Sequence, residues 1–460
     1  MPEIVMWRRF NTAGDRFKIV CRPRYLLDLL TNDTPKHHFI MSSRTSEPER
    51  LKVAIVGGGI AGALAARVLR EKHDVTIYER SSAPTEAGAA INVGPNGVKI
   101  LESLGFDRER VGSLPVEETK SYNIQGRLLI HQRRNFVKEY GADWLFQHRA
   151  DLRKELLRLA TDDLKSIGIE SRSVDIRWGT EISDVDVEEG VLSLSNGEKI
   201  NADLIVGADG IKSIIRPHIV GDVAFTSARP SGFSAFRFTL ETKDIVESLA
   251  TVPTFAHKDQ PVTLTMILDF ESTQRSIVIY PCRNFELLNF VCIVPDSSLK
   301  QSATESWTAE GDKEELLSLF SDFPSWTTDL LQLAQTIKLW QLRDQDPLPT
   351  YVKGRAVIIG DAAHAMTPHQ GQGGTQAIED AEAFRLLLRP EVSHETVSQV
   401  LKDLDSIRRP RASQIQNNTR KAAHKRSAEE MFAFERFNWI YPGILEALSQ
   451  RQRVHTNAHL

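Results

Sequence analysis

Downstream of residue 50, hydrophobic positions follow a pattern typical of a parallel β-sheet covered by helices. Leu51–Val56 is a short, continuous apolar run followed directly by glycines. Ile60–Lys72 carries Ala and Leu at helical spacing, and Asp74–Tyr78 is a second apolar run. Continuous apolar runs are typical of strands buried on both faces, and strand, helix and strand in this order form one βαβ unit. The pattern therefore predicts an α/β fold with a doubly wound sheet.

The middle of the chain has a different pattern. Val187–Ile200 alternates polar and apolar residues around two turn dipeptides, Glu189-Gly190 and Asn196-Gly197, which is typical of an antiparallel ribbon. β-rich runs follow at Phe233–Leu240, Val262–Phe270, Arg275–Tyr280 and Leu288–Val294. Such a block needs a second sheet, and we expect one face of that sheet to cover a cavity.

Helical patterns dominate the rest of the chain. Glu305–Trp340 is predicted to be helical, with Trp307, Trp326 and Trp340 in the core. The buried-strand pattern returns at Arg355–Ile359, and helical runs follow from Thr375 and from His394 to about Ala428. The nucleotide-binding sheet is therefore expected to be discontinuous, with the β-rich block inserted into it.

Composition excludes several classes of protein. The chain has 460 residues, 41% of them apolar and 26% charged, with a formal net charge of −4. No basic excess is present to neutralise nucleic-acid phosphates, and no apolar run approaches the ~20 residues of a membrane-spanning helix. The three cysteines, Cys21, Cys282 and Cys292, form neither a metal-spaced cluster nor a disulfide framework. We therefore expect a cytoplasmic protein without a metal site.

A glycine-rich turn after the first strand indicates dinucleotide binding. Gly57-Gly58-Gly59-Ile60-Ala61-Gly62 fits G-x-G-x-x-G between strand and helix. Gly57 would form the tight turn, Gly59 would admit a pyrophosphate, and Gly62 would let helix and strand pack closely. Glu79, followed by Arg80, ends the second strand, where a carboxylate would accept hydrogen bonds from ribose hydroxyls. The motif leaves NAD and FAD open.

Two downstream motifs bear on the choice between NAD and FAD. The first is Asp203-Leu-Ile-Val-Gly207-Ala-Asp209-Gly210, and the second is RAVIIGD at 355–361, followed by His364, Pro368 and Gly371-Gln372-Gly373-Gly374. In this order after G-x-G-x-x-G, they resemble the fingerprints of single-component FAD-dependent aromatic hydroxylases. The resemblance covers about residues 51–420 and is nearest to the salicylate-hydroxylase-like fungal branch. His148–Leu152 and Tyr280-Pro281-Cys282-Arg283 also resemble that branch.

The resemblance implies a set of FAD-binding residues. Asp361 would accept a hydrogen bond from the ribose or ribityl part of FAD, although a strand-end Asp can also cap a helix. The glycine loop ending at Gly374 would approach the isoalloxazine, and the following helix would direct its positive end there. Arg149 and Asp209 match cofactor-contacting positions of the family. Ala90 lies where relatives usually have glycine, and a small residue should be tolerated there.

Two residues are candidates for the substrate side. Arg237 resembles an arginine that faces the substrate in the family, and its apolar neighbours make it costly unless it pairs with a phenolate or carboxylate. An outward-facing arginine is the alternative. Tyr280 could polarise a substrate hydroxyl, although core packing is its ordinary role. His364 and His369 are expected to be structural or adjacent to the cofactor.

The implied activity is monooxygenation. NADPH or NADH would reduce FAD, O2 would form a C4a-hydroperoxide, and an electron-rich, phenolic molecule would be hydroxylated, in secondary metabolism or aromatic catabolism. The alternative is an FAD-dependent reductase or dehydrogenase of the same fold without oxygen insertion. A non-catalytic nucleotide-binding protein would be expected to lack Asp361 or the glycine loop, and both are present. The predicted assembly is a monomer or homodimer.

The predicted fold is thus α/β, with a discontinuous Rossmann-like FAD-binding domain, an inserted β-sheet substrate domain and C-terminal helices. Residues 1–50 are expected to form a poorly ordered extension. The FAD-binding domain is predicted at 51–220 and 341–460, the second part including the C-terminal helices. The β-rich substrate domain is predicted at 221–340.

Overall fold

The computed structural model describes residues 49–83, 89–169, 172–269, 271–300, 309–425 and 427–458, the last four of these by their backbone alone. The extension predicted at residues 1–50 therefore lies outside the described residues except for Glu49 and Arg50. Pro48–Leu460 forms one compact unit.

The strands and helices, in chain order, are as follows. The strands are β1 Lys52–Val56, β2 Asp74–Glu79, β3 Ala90–Val93, β4 Leu114–Pro115, β5 Glu118–Tyr122, β6 Leu128–Arg133, β7 Leu145–His148, β8 Asp175–Trp178, β9 Ile182–Asp186, β10 Val191–Leu194, β11 Lys199–Asn201, β12 Leu204–Gly207, β13 Arg229–Glu241, β14 Thr263–Asp269, β15 Arg275–Cys282, β16 Leu287–Pro295, β17 Lys338–Asp344, β18 Val352–Lys353 and β19 Ala356–Ile358. The α-helices are α1 Ile60–Leu69, α2 Pro95–Ser103, α3 Arg108–Val111, α4 Phe136–Tyr140, α5 Arg149–Thr161, α6 Arg216–Val220, α7 Thr242–Ser248, α8 Lys313–Leu319, α9 Ser325–Gln332, α10 Asp361–His364, α11 Gly373–Ala383, α12 Val397–Ala422, α13 Ala428–Trp439 and α14 Ile444–Ala458.

The first sheet is the nucleotide-binding sheet that the sequence predicts. Its strand order is β18-β19-β12-β1-β2-β8, and the pairs within β19-β12-β1-β2-β8 are all parallel. Helices α1, α5 and α11 pack together on one face, around the apolar side chains of β1 and α1. The strands come from widely separated parts of the chain, which confirms the discontinuous Rossmann-like arrangement.

The second sheet has the order β17-β13-β16-β15-β14-β5-β6. Its strands alternate between two faces, as a two-residue side-chain period requires. One face carries Phe236, Ile279 and Phe290, which pack on apolar residues of and beside α8 and α9. The opposite face carries Ala235, Val291 and Leu342 and packs near the end of α12. An inserted β-sheet layer is thus confirmed.

Two local expectations differ from the structure. The prediction that Trp340 belongs to a helical, core-forming stretch is wrong, because Trp340 lies on edge strand β17 and is only partly buried. Trp326 does pack against the second core, and Trp307 lies outside the described residues. Strands β5 and β6 fall within the predicted 51–220 segment but pair with the second sheet. The segment boundaries themselves stay a prediction.

Candidate active site

The G-x-G-x-x-G turn has the geometry that a dinucleotide needs. A side chain at Gly57, whose φ is +103°, would approach Ala208 O to 2.4 Å, and one at Gly62 would approach Gly57 O to 1.9 Å. A side chain at Gly59 would meet nothing within 4 Å. Gly57 and Gly62 are therefore required by packing within the protein, whereas the space beside Gly59 is open. That open space fits a pyrophosphate at the N-terminus of α1.

Glu79 lies where a ribose-binding carboxylate is predicted. Its Oε2 accepts a hydrogen bond from Gly58 N at 2.8 Å, so the carboxylate lies against the glycine turn. Arg153, which sequence reasoning missed, donates from Nε to Gly58 O at 2.8 Å and lies 3.7 Å from Glu79. It follows Arg149 by four residues on α5, and this spacing on one helix face could have indicated it. The predicted residue Arg80 is exposed beside Glu79.

Asp209 and Asp361 follow neighbouring strands of the first sheet, β12 and β19. Asp209 Oδ2 accepts from Ile214 N at 2.8 Å, and burial raises the pKa of Asp209. Asp361 is the first residue of α10. Arg216 connects the two segments, donating to Ile211 O at 2.6 Å and to Ala362 O at 3.0 Å. Both predicted aspartates thus lie at the carboxyl edge of the sheet with the glycine turn, where open α/β sheets bind ligands.

Ala90, Arg149 and Gly374 gather around strand β3. Arg149 N donates to Ala89 O at 3.3 Å, and Ala90 N donates to Asn289 Oδ1 at 3.0 Å. A side chain at Gly374 would approach Ile91 Cδ1 to 2.7 Å, so the start of α11 packs directly on β3. A side chain at the neighbouring Gly373 would lie 4.0 Å from Asp361 Oδ1. This second group of predicted residues is therefore close to the first.

Arg237 lies in a cleft between the two sheets, which we call the inner cleft. The cleft is lined by residues that include Arg237, Trp340, Asp361, Met366, Thr367 and Pro368. The Arg237 guanidinium lies over the Trp340 ring, 4.5 Å from its centroid. Its Nε has no hydrogen-bond partner among the described residues. Burial lowers the pKa of Arg237 to about 10, with a further contribution from the positive charge of Arg149. Arg237 nevertheless stays protonated at neutral pH.

Tyr280 is packed beside the same group. Its ring lies 4.5 Å from that of Phe146, and the side chain is buried. Strand pairing aligns Arg237 with Val291 and Val291 with Val278, so Tyr280, two positions from Val278, shares a face of the second sheet with Arg237. Burial raises the pKa of Tyr280, so its phenol is neutral at neutral pH and can donate a hydrogen bond.

A buried ionic network, which the sequence did not predict, lies beneath the site. Asp380 of α11 accepts hydrogen bonds from Gly360 N at 2.9 Å and Arg408 Nε at 2.9 Å, and contacts His364 Nε2 at 2.5 Å. Arg408 also pairs with Glu379, and these four side chains are at most 1% exposed. His364 is thus part of this buried network. The network fixes the backbone immediately before Asp361.

Comparison with known proteins places the chain in a family. The family model described as "FAD binding domain" matches residues 50–419. The chain therefore belongs to this family of FAD-binding proteins. The open space at Gly59 and the gathering of Glu79, Asp209 and Asp361 at one sheet edge fit FAD.

The relatives specify the class of enzyme. The chain is 31% identical to hispidin-3-hydroxylase of Neonothopanus nambi, over 79% of this chain and 86% of that protein. It is 30% identical to salicylate hydroxylase of Pseudomonas putida, over 80% of this chain and 84% of that protein. A solved salicylate hydroxylase substrate complex is 26% identical, with a TM-score of 0.68, and covers 88% of this chain and 98% of that one.

These similarities confirm an FAD-dependent monooxygenase of the aromatic hydroxylase type that uses NAD(P)H and O2. They support oxygen insertion over the reductase alternative, because the matched relatives are named as hydroxylases and monooxygenases. None of the helices in the described part of the chain is long and apolar enough to cross a membrane.

Proposed function

We propose that the chain hydroxylates a phenol or phenolic acid that binds in the inner cleft as an anion, with its oxygen on Arg237. The observation that carries this proposal is the Nε atom of Arg237, which is buried and has no hydrogen-bond partner among the described residues. A buried N–H without a partner is costly, and an anionic oxygen would satisfy it by a charge-assisted hydrogen bond.

The residues of the first sheet edge would hold FAD. We assign the pyrophosphate to the open space at Gly59, the adenosine ribose to Glu79, and the ribityl chain to Asp361. Bound FAD would accept hydride from NADPH or NADH and activate O2. Arg149 and the start of α11 at Gly373-Gly374 would place positive charge near the isoalloxazine, where a reduced, anionic flavin is stabilised.

Arg237 and Tyr280 would act on the substrate directly. A cation near the substrate oxygen lowers the pKa of a phenol and favours the phenolate. The phenolate ring is richer in electrons at its ortho and para carbons, which are the carbons to be oxygenated. Tyr280, kept neutral by burial, would donate a hydrogen bond to a second substrate oxygen. The Trp340 ring beneath the guanidinium fixes its position and excludes water from one side.

The test is a panel of phenols and phenolic acids, each paired with its methyl ether, given to the holoenzyme with NADH or NADPH. We expect the phenols to stimulate NAD(P)H oxidation and O2 uptake and to yield products that carry one atom from ¹⁸O2. The methyl ethers cannot ionise and should stimulate little. Substrate reduction without O2 uptake would contradict the proposal and favour the reductase.

We further propose that the enzyme works in the cytoplasm as a monomer or homodimer. The buried, free thiols of Cys282 and Cys292 suit a reducing compartment. Light scattering on the purified protein and fractionation of the native cells would test both parts, and a larger assembly or an organellar location would contradict them.

A further inference from the structure

A second pocket adjoins the inner cleft, and we call it the outer pocket. It has a volume of about 320 Å³ and is lined by residues that include Arg229, Phe233, Asp344, Thr367, His369 and Arg420. The inner cleft has about 120 Å³, which is small for a ligand of several rings. Small-molecule sites commonly enclose roughly 300–1,000 Å³.

The two cavities are neighbours that share one lining residue. Thr367 lines both of them. Trp340 and Leu342 of the inner cleft and Asp344 of the outer pocket alternate along β17, so they share one face of the second sheet. At ~3.3 Å per residue, Asp344 lies about 13 Å along the strand from Trp340. A ligand that lies along β17 could therefore reach from Arg237 into the outer pocket.

A distortion of β13 makes room for the outer pocket. The pairing of β13 with β17 shifts register between Pro230 and Ser234, and Gly232 between them has a φ of +86°. β13 resumes regular pairing at Ser234, before Arg237. Irregularities of this kind separate strands and re-aim side chains beside active sites. Here the shift, between Pro230 and Ser234, includes Ser231 and Phe233, which line the outer pocket.

Thr367 and Asp344 each bring a buried polar atom to the outer pocket that has no hydrogen-bond partner among the described residues. Thr367 is 5% exposed, and its Oγ1 makes no hydrogen bond within the described part of the chain. Asp344 Oδ1 is likewise buried and unpaired, although Oδ2 of the same carboxylate accepts from Arg420 Nε. The charge of Asp344 is thus balanced by Arg420, but one of its oxygens retains an unused capacity to accept. Buried polar atoms are rarely left unsatisfied, so a ligand or a water is expected there.

We propose that the substrate extends from the inner cleft into the outer pocket and donates a hydrogen bond from a distal hydroxyl or amine to Asp344 Oδ1. This inference rests on the proposed function, because it assigns the phenolate end of the same substrate to Arg237. Burial raises the pKa of Asp344, and the adjacent Arg420 opposes that shift. The ionised carboxylate can only accept, so a distal ether or carboxylate would leave Asp344 unsatisfied or repelled. Phe233 and Ala423 provide an apolar contact for the middle of the ligand.

The inference can be tested with three rigid ligands that differ only at the distal end: 4-hydroxystilbene, 4,4′-dihydroxystilbene and 4-hydroxy-4′-methoxystilbene. Binding to the FAD-loaded enzyme is followed by the change in flavin absorbance. We expect the dihydroxy compound to bind about tenfold more tightly than the other two. Equal affinities for all three compounds would show that water satisfies Asp344 and would overturn the inference.

Two matched variants locate the effect. Asp344→Asn offers an amide in place of an acceptor-only group, and we expect the hydroxyl-over-methoxy preference to fall below about threefold. The control is Asp346→Asn, at the other acidic residue that lines the outer pocket. Asp346 already pairs with Arg229 at 3.2 Å and with Arg420 at 2.9 Å, so this variant should retain the hydroxyl-over-methoxy preference. An equal loss of the preference in both variants would assign it to the negative charge of the pocket and contradict the inference. If Asp344→Asn does not fold or loses its flavin, the ligand series in the unsubstituted enzyme still decides.

Failure of this inference is distinguishable from failure of the proposed function. If phenols are hydroxylated, but a distal hydroxyl changes neither their rate nor their affinity, the proposed function holds and the outer pocket has no role in substrate recognition. A strong distal-hydroxyl preference in binding, without oxygenated product from any phenol, would retain the pocket and contradict the function.

Discussion

At the scale of single residues, the environment of Arg237 is the main structural support for the proposed chemistry. A guanidinium withdrawn from bulk solvent usually pairs with a carboxylate, as Arg408 does in the same molecule. Arg237 instead lies on an indole ring with an unpaired Nε. No carboxylate pairs with this cation in the described part of the chain, which is why we propose that its charge acts on a ligand.

Replacement of Arg237 should separate substrate binding from cofactor binding. We expect Arg237→Ala to retain FAD but to lose about 10–100-fold in substrate-stimulated NAD(P)H oxidation, since a charged hydrogen bond contributes about 1.5–3 kcal/mol. Arg237→Lys, which keeps the charge without the planar fork, should recover part of the activity. Steady-state kinetics with normalised flavin content measure both, and unchanged kinetics for Arg237→Ala would remove it from the site.

Asp361 should act on the cofactor instead. Asp361→Ala removes the acceptor proposed for the ribityl chain and should weaken FAD binding about 10–100-fold, so that the protein purifies largely colourless. Asp329→Ala, an exposed aspartate on α9, serves as the control and should remain yellow. The ratio of flavin to protein absorbance gives the result. A fully loaded Asp361→Ala protein would contradict the assignment.

At the scale of elements, the contact between α11 and α12 supports the strand end that carries Asp361. Arg408 of α12 joins Glu379 and Asp380 of α11, and Asp380 holds Gly360 N and His364. The pKa of both carboxyls lies below the ordinary value despite their burial, because Arg411 and then Arg408 act on Glu379, and His364 and then Arg408 act on Asp380. The strand end that carries Asp361 is thereby tied to two helices.

Removal of Arg408 should be severely destabilising. Arg408→Met would leave the buried Asp380 carboxylate without its arginine and Glu379 with Arg411 alone, and breaking a buried ion pair in this way costs about 3–5 kcal/mol of unfolding free energy. Arg409→Met, at the next position, removes a partly exposed pair with Asp405 and should cost at most about 1 kcal/mol. Denaturant unfolding of the two holoproteins provides the comparison. Similar losses of unfolding free energy in the two variants would show that the buried network contributes no more to stability than the partly exposed pair.

At the scale of the whole molecule, His73 joins distant parts of the chain. Its Nδ1 accepts from Leu51 N at 3.1 Å at the start of β1, and its Nε2 lies 3.0 Å from Leu387 O, more than 300 residues away. The ring is buried, and burial lowers its pKa from 6.5 to about 4. Because Nδ1 must accept, only the neutral imidazole fits both contacts.

Stability should therefore fall as the pH falls from about 6.5 to about 4. The unfolded chain binds a proton on His73 in this window and the folded protein does not, so unfolding is favoured by up to about 3 kcal/mol at pH 4. His73→Asn should be less stable at pH 7.5 but should show a shallower dependence of Tm on pH. Parallel slopes for the two proteins would contradict this role.

Much of the architecture and half of the site could be predicted from sequence. The glycine turn, Asp209 and Asp361 each follow a strand of the parallel sheet and Glu79 ends one, and the carboxyl ends of neighbouring parallel strands necessarily share one edge. Their convergence was therefore predictable from local pattern once the strands were recognised.

The rest depended on pairings between distant segments. The local sequence pattern predicts that Trp340 is part of a helical, core-forming stretch. Its pairing with β13 instead places it on an edge strand, with its ring beneath Arg237. Strands β5 and β6 give no indication in sequence that they join the second sheet. The ionic network and the unpaired oxygen of Asp344 likewise arise from side chains brought together by tertiary contacts.

By itself, then, the sequence determined the class of fold and a dinucleotide site, because the backbone turns and strand ends that bind a dinucleotide are encoded by short, contiguous motifs. FAD and monooxygenation were implied by the family resemblance that these motifs carry in their order. The tertiary structure alone decided which charges are neutralised and which remain available, and how far the cavity extends. Those properties depend on distance and burial between segments hundreds of residues apart, which local pattern does not specify.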